Sequence, residues 1–261
     1  MRWQLMVLCG IILVTAMASI LSPADPMRTE PDLQMQPPKF THILGTDLLG
    51  RDVLSRLLYG GQRTLIVTTL AASLAIVVGS SVGLLAGISV NQVDGILSNL
   101  ISALLAIPNL LLALVILTLL GSGIVPLILA TGFAQIAPVA RVLRAAVLAV
   151  QIQPYIEAGY AIGLKRWHIV YYYILPNIQS TLLAYGGVTF SYCLLNSSAL
   201  SYLGLGGKPG IPDWGVMLAE GRNTLRDAPW VALAPGLAIT ITVRLINSLI
   251  DQQMAKSRSH Y

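Results

Sequence analysis

Three long stretches of this chain carry no charged side chain: between Arg63 and Asp94, between Asp94 and Arg141, and between Arg166 and Lys208. As one straight helix the middle stretch would run roughly 70 Å, over twice the hydrocarbon thickness of a bilayer. It must therefore fold back on itself, and Gly121-Ser122-Gly123 followed by Pro126 supplies the reversal. Charged residues make up 10% of the 261 and hydrophobic ones 55%, against about 25% charged in soluble domains. With a mean hydropathy of +0.74, the chain reads as an all-α polytopic membrane protein.

Six runs reach membrane length, at about 4–21, 65–90, 96–120, 124–150, 178–202 and 230–250. The first, with Arg2 ahead of it and Ala16-Met17-Ala18 near its end, also resembles a signal peptide. Its length, and the odd number of spans its removal would leave, favour a retained helix. Pro108 and Pro138 are expected to bend their helices. Residues 141–176 hold four basic side chains against Glu157, whereas 22–63 and 203–229 are each neutral in sum. The basic connection belongs in the cytoplasm. Six spans then put both termini inside, in keeping with Arg2, Lys256 and Arg258. The formal charge of +5 thus reads as topology rather than as a nucleic-acid footprint. The expected organisation is a first transmembrane helix over 1–22, an extracytoplasmic segment with an interfacial helix over 23–63, and a core of five spans over 64–261. That core includes an inner loop, 151–176, and an outer loop, 203–229.

One inner segment stands apart: YIEAGYAIGLKRWHIVYYYILPN, residues 155–177. Gln153-Pro154 can open a helix, because proline fits the first helical position. Glu157 then lies in the first turn, where a carboxylate suits the macrodipole. Gly159 and Gly163, four apart, are expected on one bare face, with Ile156, Tyr160 and Gly163 on an adjoining stripe. Trp167 and Tyr171 to Tyr173 suit the headgroup level, and Pro176 marks entry to the next span. The segment describes a short helix under the membrane, offered to a cytoplasmic partner.

The run Glu157-Ala158-Gly159-x3-Gly163, ending in Leu175-Pro176, resembles the EAA motif of ABC importer permeases, EAA-x3-G-x9-I-x-LP. Gly159 replaces the second alanine and Tyr173 the isoleucine. The resemblance implies a coupling helix that docks on an ATPase subunit through Glu157, Ala158, Gly159, Tyr160, Gly163, Leu164 and Pro176. Residues 42–65 resemble the GTDxxGRDxxSR block of dipeptide/oligopeptide/nickel-type permeases, with Gly45, Thr46, Asp47, Gly50, Arg51, Asp52, Ser55 and Arg56 matching and Gln62 departing from an arginine. Residues 201–222 resemble the last outer loop of the same family. Together these resemble the C-type permease subunit of such importers and imply the ABC type I importer permease fold. They also imply a bacterial inner-membrane location and partners: a homologous second permease, two ABC ATPases that bind ATP and Mg, an external substrate-binding protein, and lipid. No cofactor is expected in this chain. The cargo implied is a peptide-like solute or a nickel or metal chelate.

Other signals are weaker. Gly79-Ser80-Ser81-Val82-Gly83 fits the GxSxG pattern, but His42, His168 and His260 all lie outside the predicted spans, so the serine lacks a base. Gly79, Gly83 and Gly87 instead repeat every four residues, as helix packing in lipid requires. No phosphate-binding loop is present: Pro209 follows Gly207-Lys208, and Tyr202 stands where the first glycine belongs. Asp47 and Asp52 read as turn and cap residues rather than a catalytic pair, with Arg51, Arg56 and Arg63 available to pair with them or to hold lipid headgroups. Thr181, Tyr185, Thr189, Tyr192 and Asn196 make one polar stripe on the fifth span, which reads as pathway lining or as interhelical hydrogen bonding. Arg244, near the inner end of the sixth span, can snorkel. A self-contained secondary transporter or channel is the rival class, and it would be expected to show more buried ionisable groups.

Overall fold

The computed structural model describes residues 2–89, 92–206 and 210–258. Gly207-Lys208-Pro209 of the expected outer loop and His260 lie outside the described residues. Among the described residues the chain is helical, with only two isolated β-bridges, Lys39 to His42 and Thr46 to Asp52. The helices are α1 (Arg2–Ala16), α2 (Ala18–Leu21), α3 (Val53–Ile88), α4 (Gln92–Leu105), α5 (Asn109–Leu120), α6 (Ile124–Ala134), α7 (Ile136–Gln151), α8 (Pro154–Ala161), α9 (Arg166–Ile169), α10 (Leu175–Tyr202), α11 (Trp214–Arg222) and α12 (Pro229–Arg258). A 3₁₀ turn, Pro31–Leu33, precedes α3, and a π-turn, Val170–Ile174, joins α9 to α10.

Among the described residues three helical stretches are long and apolar enough to cross a membrane: Val53–Ile88, Ile124–Gln151 and Pro229–Gln252. The pair α4 and α5 makes a fourth if it counts as one crossing, although it bends by 90°. The bend falls at Pro108, whose extended backbone caps α5 and whose missing N–H cannot continue α4. The α6–α7 break falls at Gln135. Pro138 sits in the first turn of α7, where the N–H it lacks has least to do. The reversal at Gly121 to Gly123 joins α5 to α6, with Gly121 at φ +84°. Exposed Leu119, Val77, Met6 and Ile96 coat the outside with apolar atoms, as a lipid-facing surface demands.

Among the described residues, 23–52 hold one short helical turn, Pro31–Leu33, and α3 begins at Val53. Residues 53 to 88 form one helix, about 54 Å long, and two glycines in its first turns serve as contacts. A Cβ on Gly60 would lie 3.1 Å from the Asp213 backbone nitrogen, and one on Gly61 2.8 Å from the Trp214 ring. The first turns of α3 are thus extra length gripped by the loop ahead of α11.

The α3–α7 seam organises the bundle. A Cβ on Gly79 would fall 2.7 Å from Val139 Cβ, one on Gly83 2.5 Å from the Ala140 carbonyl oxygen, and one on Gly87 2.7 Å from Val147 Cβ. The four-residue glycine repeat is therefore a packing surface, and the Ser81 hydroxyl donates to the Val77 carbonyl of its own helix at 2.7 Å. The core beside this seam continues through Val139, Leu143 and Val147 into Ile156, Ile169 and Ile174, so it reaches from α7 to α8, α9 and the π-turn.

At the other end of α3 a buried ionic clasp ties the early segment to α11. Asp47 accepts the backbone N–H groups of Leu49 and Arg51 and the Arg51 Nε, at 2.8, 2.9 and 2.7 Å. Glu220 accepts from Arg51 at 3.0 Å and from Arg56 at 2.7 Å, and Arg56 Nε stands 3.6 Å from Asp47. Two arginines thus balance two carboxylates, with Arg56 only 1% exposed. Asp52 caps α3 through the Ser55 N–H and hydroxyl and holds His42 at 2.9 Å. Thr46 bonds Leu33 and Gln36 with its side chain, and its carbonyl accepts the Trp230 indole N–H at 3.0 Å. Gly45 and Gly50 turn the chain at φ +75° and +73°. Arg63 takes no part: it donates to the Gly206 carbonyl at 3.0 Å. On α11, burial pushes the capping Asp213 carboxyl above its usual range, against the N–H bonds of Gly215 and Val216.

Two substitutions test this account. Arg56→Ala leaves the buried carboxylates short of one cation and is expected to cost about 3–5 kcal/mol, read as a large fall in Tm of the detergent-purified protein. Gly83→Leu should separate α3 from α7 and lower the folded yield, whereas the open-sided Gly10→Ala should not, since nothing lies within 4 Å of Gly10.

Candidate functional site

The site is built at the end of α3 away from the clasp, where Ile88 and Ser89 share a cleft with Tyr160 and Arg166. Helix α8 opens as its sequence predicts: Gln153 is extended at the N-cap, Pro154 follows at the first position, and Glu157 occupies the first turn. It closes with a Schellman motif. The Leu164 N–H donates to the Gly159 carbonyl at 3.1 Å and the Gly163 N–H to the Tyr160 carbonyl at 3.0 Å, with Gly163 at φ +84°.

That ending corrects the expected faces. Gly163 lies beyond the helix, in open space, so it cannot share a face with Gly159. Gly159 is buried against its own chain, where a Cβ would lie 3.4 Å from Leu164 and 3.7 Å from Ile169. The stripe of Ile156, Tyr160 and Gly163 also divides, since Ile156 is buried and Tyr160 is exposed. A four-residue spacing implies a shared face only while the helix continues, and here the left-handed turn stops it. The surface left outward comprises Tyr155, Glu157, Ala158, Tyr160, Ala161 and Ile162.

The segment is braced from behind. Ile156 and Ile169 are buried in the α7 core, and the Tyr155 and Tyr173 rings stack at 6.3 Å. Tyr173, a departure from the motif, therefore links α8 to the π-turn. Trp167, Tyr171 and Tyr172 are exposed, and His168 packs against Tyr172 at 4.4 Å between ring centres. Pro176 sits in the first turn of α10. The wide turn just before it suits a residue with no N–H to give to the preceding ladder.

The α10 stripe is not one continuous surface. Thr181, Tyr185 and Asn196 are half-buried, Thr189 is buried and donates to the Tyr185 carbonyl at 2.8 Å, and Tyr192 is exposed. The Asn196 amide nitrogen is buried without a partner among the described residues. Sequence reasoning missed a neighbouring surface. Ser191 and Tyr192 of α10 line a groove with Val243, Asn247 and Asp251 of α12, and Arg244 lines the adjoining one. The signal was present as the recurrence of Thr240, Arg244, Asn247 and Asp251 at steps of four, three and four. Also missed was a bidentate pair, Arg144 on α7 with Asp94 on α4, at 2.8 Å for both bonds. Glu220, the shared partner of Arg51 and Arg56, carried no local signal.

The family profile described as a binding-protein-dependent transport system inner membrane component matches residues 59–256. Among curated relatives, the chain is 31% identical to a dipeptide transport system permease protein of Alkalihalophilus pseudofirmus, over 95% of this chain and 81% of that one. It is 33% identical to a di/tripeptide transport system permease protein of Pseudomonas aeruginosa, over 92% of this chain and 82% of that one. A glutathione transport system permease protein of Escherichia coli shares 36% over 82% and 71%. Among solved structures, an inward-facing MetNI methionine ABC transporter chain superposes with a TM-score of 0.61 at 22% identity, covering 76% of this chain and 94% of that one. An amino acid ABC transporter chain does so with a TM-score of 0.56 at 20% identity, covering 80% and 95%. These structural likenesses establish the fold. The chain belongs to the inner-membrane permease components of binding-protein-dependent ABC importers, which span the bacterial inner membrane and leave ATP hydrolysis to partner subunits.

Proposed function

We propose that this subunit passes a peptide-like solute inward by alternating access, driven through α8 and α9. The observation that carries the coupling role is the contrast between the two sides of α8. Its inner side is locked to the transmembrane core by Ile156 and Gly159, with Tyr155 stacked on Tyr173 at its start, whereas Glu157, Ala158, Tyr160, Ala161 and Ile162 stay exposed. A short helix braced in that way transmits displacement instead of absorbing it. Glu157, Ala158, Tyr160 and the turn at Gly163 and Leu164 would face an ATPase subunit, and Pro176 would carry the motion into α10.

The assembly proposed is this permease, a homologous second permease, two ATPases that bind ATP and Mg, and an external binding protein. The clasped segments 22–63 and 203–229 would meet that binding protein. In this topology six crossings place both termini in the cytoplasm, with α1–α2 and α10 supplying the crossings beyond the four noted above. ATP binding must favour the outward-facing state over the inward-facing one, because only differential binding shifts such an equilibrium. The relatives' peptide and glutathione names support a peptide-like cargo, with a nickel or metal chelate as the other chemistry of the resembled family. The α10 residues Thr181, Tyr185, Thr189, Tyr192 and Asn196 are proposed to contribute to the lining.

Ala158→Arg tests the docking face without straining the fold. It should leave stability within about 0.5 kcal/mol of the parent while binding-protein-stimulated ATPase activity of the reconstituted complex falls at least tenfold; unchanged stimulation sinks the coupling role. Gly163→Ala should instead lower stability by about 1 kcal/mol, through its left-handed backbone. Asn196→Leu should cut uptake with assembly intact, and normal uptake removes Asn196 from the lining. Calorimetry of the cognate binding protein with dipeptides and with nickel chelates decides the cargo class.

A further inference from the structure

Thr240, Arg244, Asn247 and Asp251 are all exposed and lie along one side of α12, a helix long and apolar enough to cross the membrane. Polar side chains at such positions face protein or water rather than lipid. The surface beside them is concave. Two adjoining grooves, of about 470 and 640 Å³, share Leu195, Val243, Asn247 and Asp251. Ser191 of α10 donates to the Asn247 amide oxygen at 3.2 Å and so fixes that side chain in the groove wall.

The two charges have no partner among the described residues: neither Arg244 nor Asp251 joins any ion pair there. Seven residues apart on a helix, they are separated by about 10.5 Å along its axis. Three residues of extended chain, at about 3.4 Å each, span the same distance. A guanidinium fork matches a carboxylate, and a carboxylate matches an ammonium group. Closing this face dry against another subunit would bury both charges, at a cost only well-placed counter-charges offset; a hydrated groove imposes no such cost.

We infer that the α10/α12 groove is a hydrated passage site for a small zwitterionic solute, with Arg244 taking its carboxylate and Asp251 its ammonium. The inference rests on the permease reading above and adds the face and the two residues that would handle the cargo.

The test uses the assembled transporter in liposomes, with Cys9 and Cys193 replaced by alanine and Thr240→Cys introduced one turn from Arg244. Anionic and cationic methanethiosulfonates, ethylsulfonate and ethyltrimethylammonium, are the probes. Both should react, and the ratio of anionic to cationic rate should fall at least threefold on Arg244→Gln but persist in Arg244→Lys. Reaction with neither reagent shows the face buried against a neighbouring subunit. Reaction only with a lipid-soluble maleimide places it in lipid. A ratio indifferent to Arg244 denies that residue any hold on anions. Each of these three results overturns the inference. Loss of the ATPases on purification would count against the permease reading instead, since the labelling pattern is read independently of it.

Discussion

The close approach of α3 to α7 is the constraint on which the rest depends. Lipid tails are as apolar as leucine, so helices in a bilayer gain little from burying oil against oil. They gain from contact, and contact requires that one surface be bare. Gly79, Gly83 and Gly87 provide it, letting Val139, the Ala140 carbonyl, Leu143 and Val147 lie directly on the α3 backbone. With α7 fixed, its far end positions the pocket that receives Ile156 and Ile169. The placement of α8, and through it any coupling to a partner, follows from three absent side chains.

Charge is handled differently at the two ends of the molecule. At the clasp, Asp47, Arg51, Arg56 and Glu220 neutralise one another in a site largely closed to solvent. Such a network contributes little net stability over an apolar core, yet breaking it is costly. It thereby fixes the register of a long irregular segment that few apolar contacts could hold. Along α8 and α9, Glu157, Lys165 and Arg166 are left exposed. The first arrangement suits a rigid lid and the second suits a surface still to be covered.

Much of this was legible along the chain. The charge-free stretches, the Gly121–Gly123 reversal, the bend at Pro108, the Pro154 start of α8 and the Asp52 cap each rest on a local rule, so neighbouring residues suffice to reveal them. Periodicity failed where the helix did not continue. Gly159 and Gly163 were spaced for one face, but the Schellman turn put Gly163 outside the helix. Gly60 and Gly61 carried no local signal of their role, and only the packing shows them to be contacts for Asp213 and Trp214. The α12 stripe was readable in spacing alone, yet its significance required the facing Ser191 and Tyr192.

By itself the sequence determined that the chain is an all-α membrane protein, where it turns, and which family it resembles. Those properties follow from hydropathy, backbone chemistry and residue order, which act over a few residues at a time. Only the tertiary structure decided that Glu220 serves both Arg51 and Arg56, that Arg144 holds Asp94 across two helices, and that Gly159 faces inward. It also decided that α10 and α12 share a charged groove. Each of these joins residues far apart in the chain, and distance in space is set by packing, which no local pattern encodes.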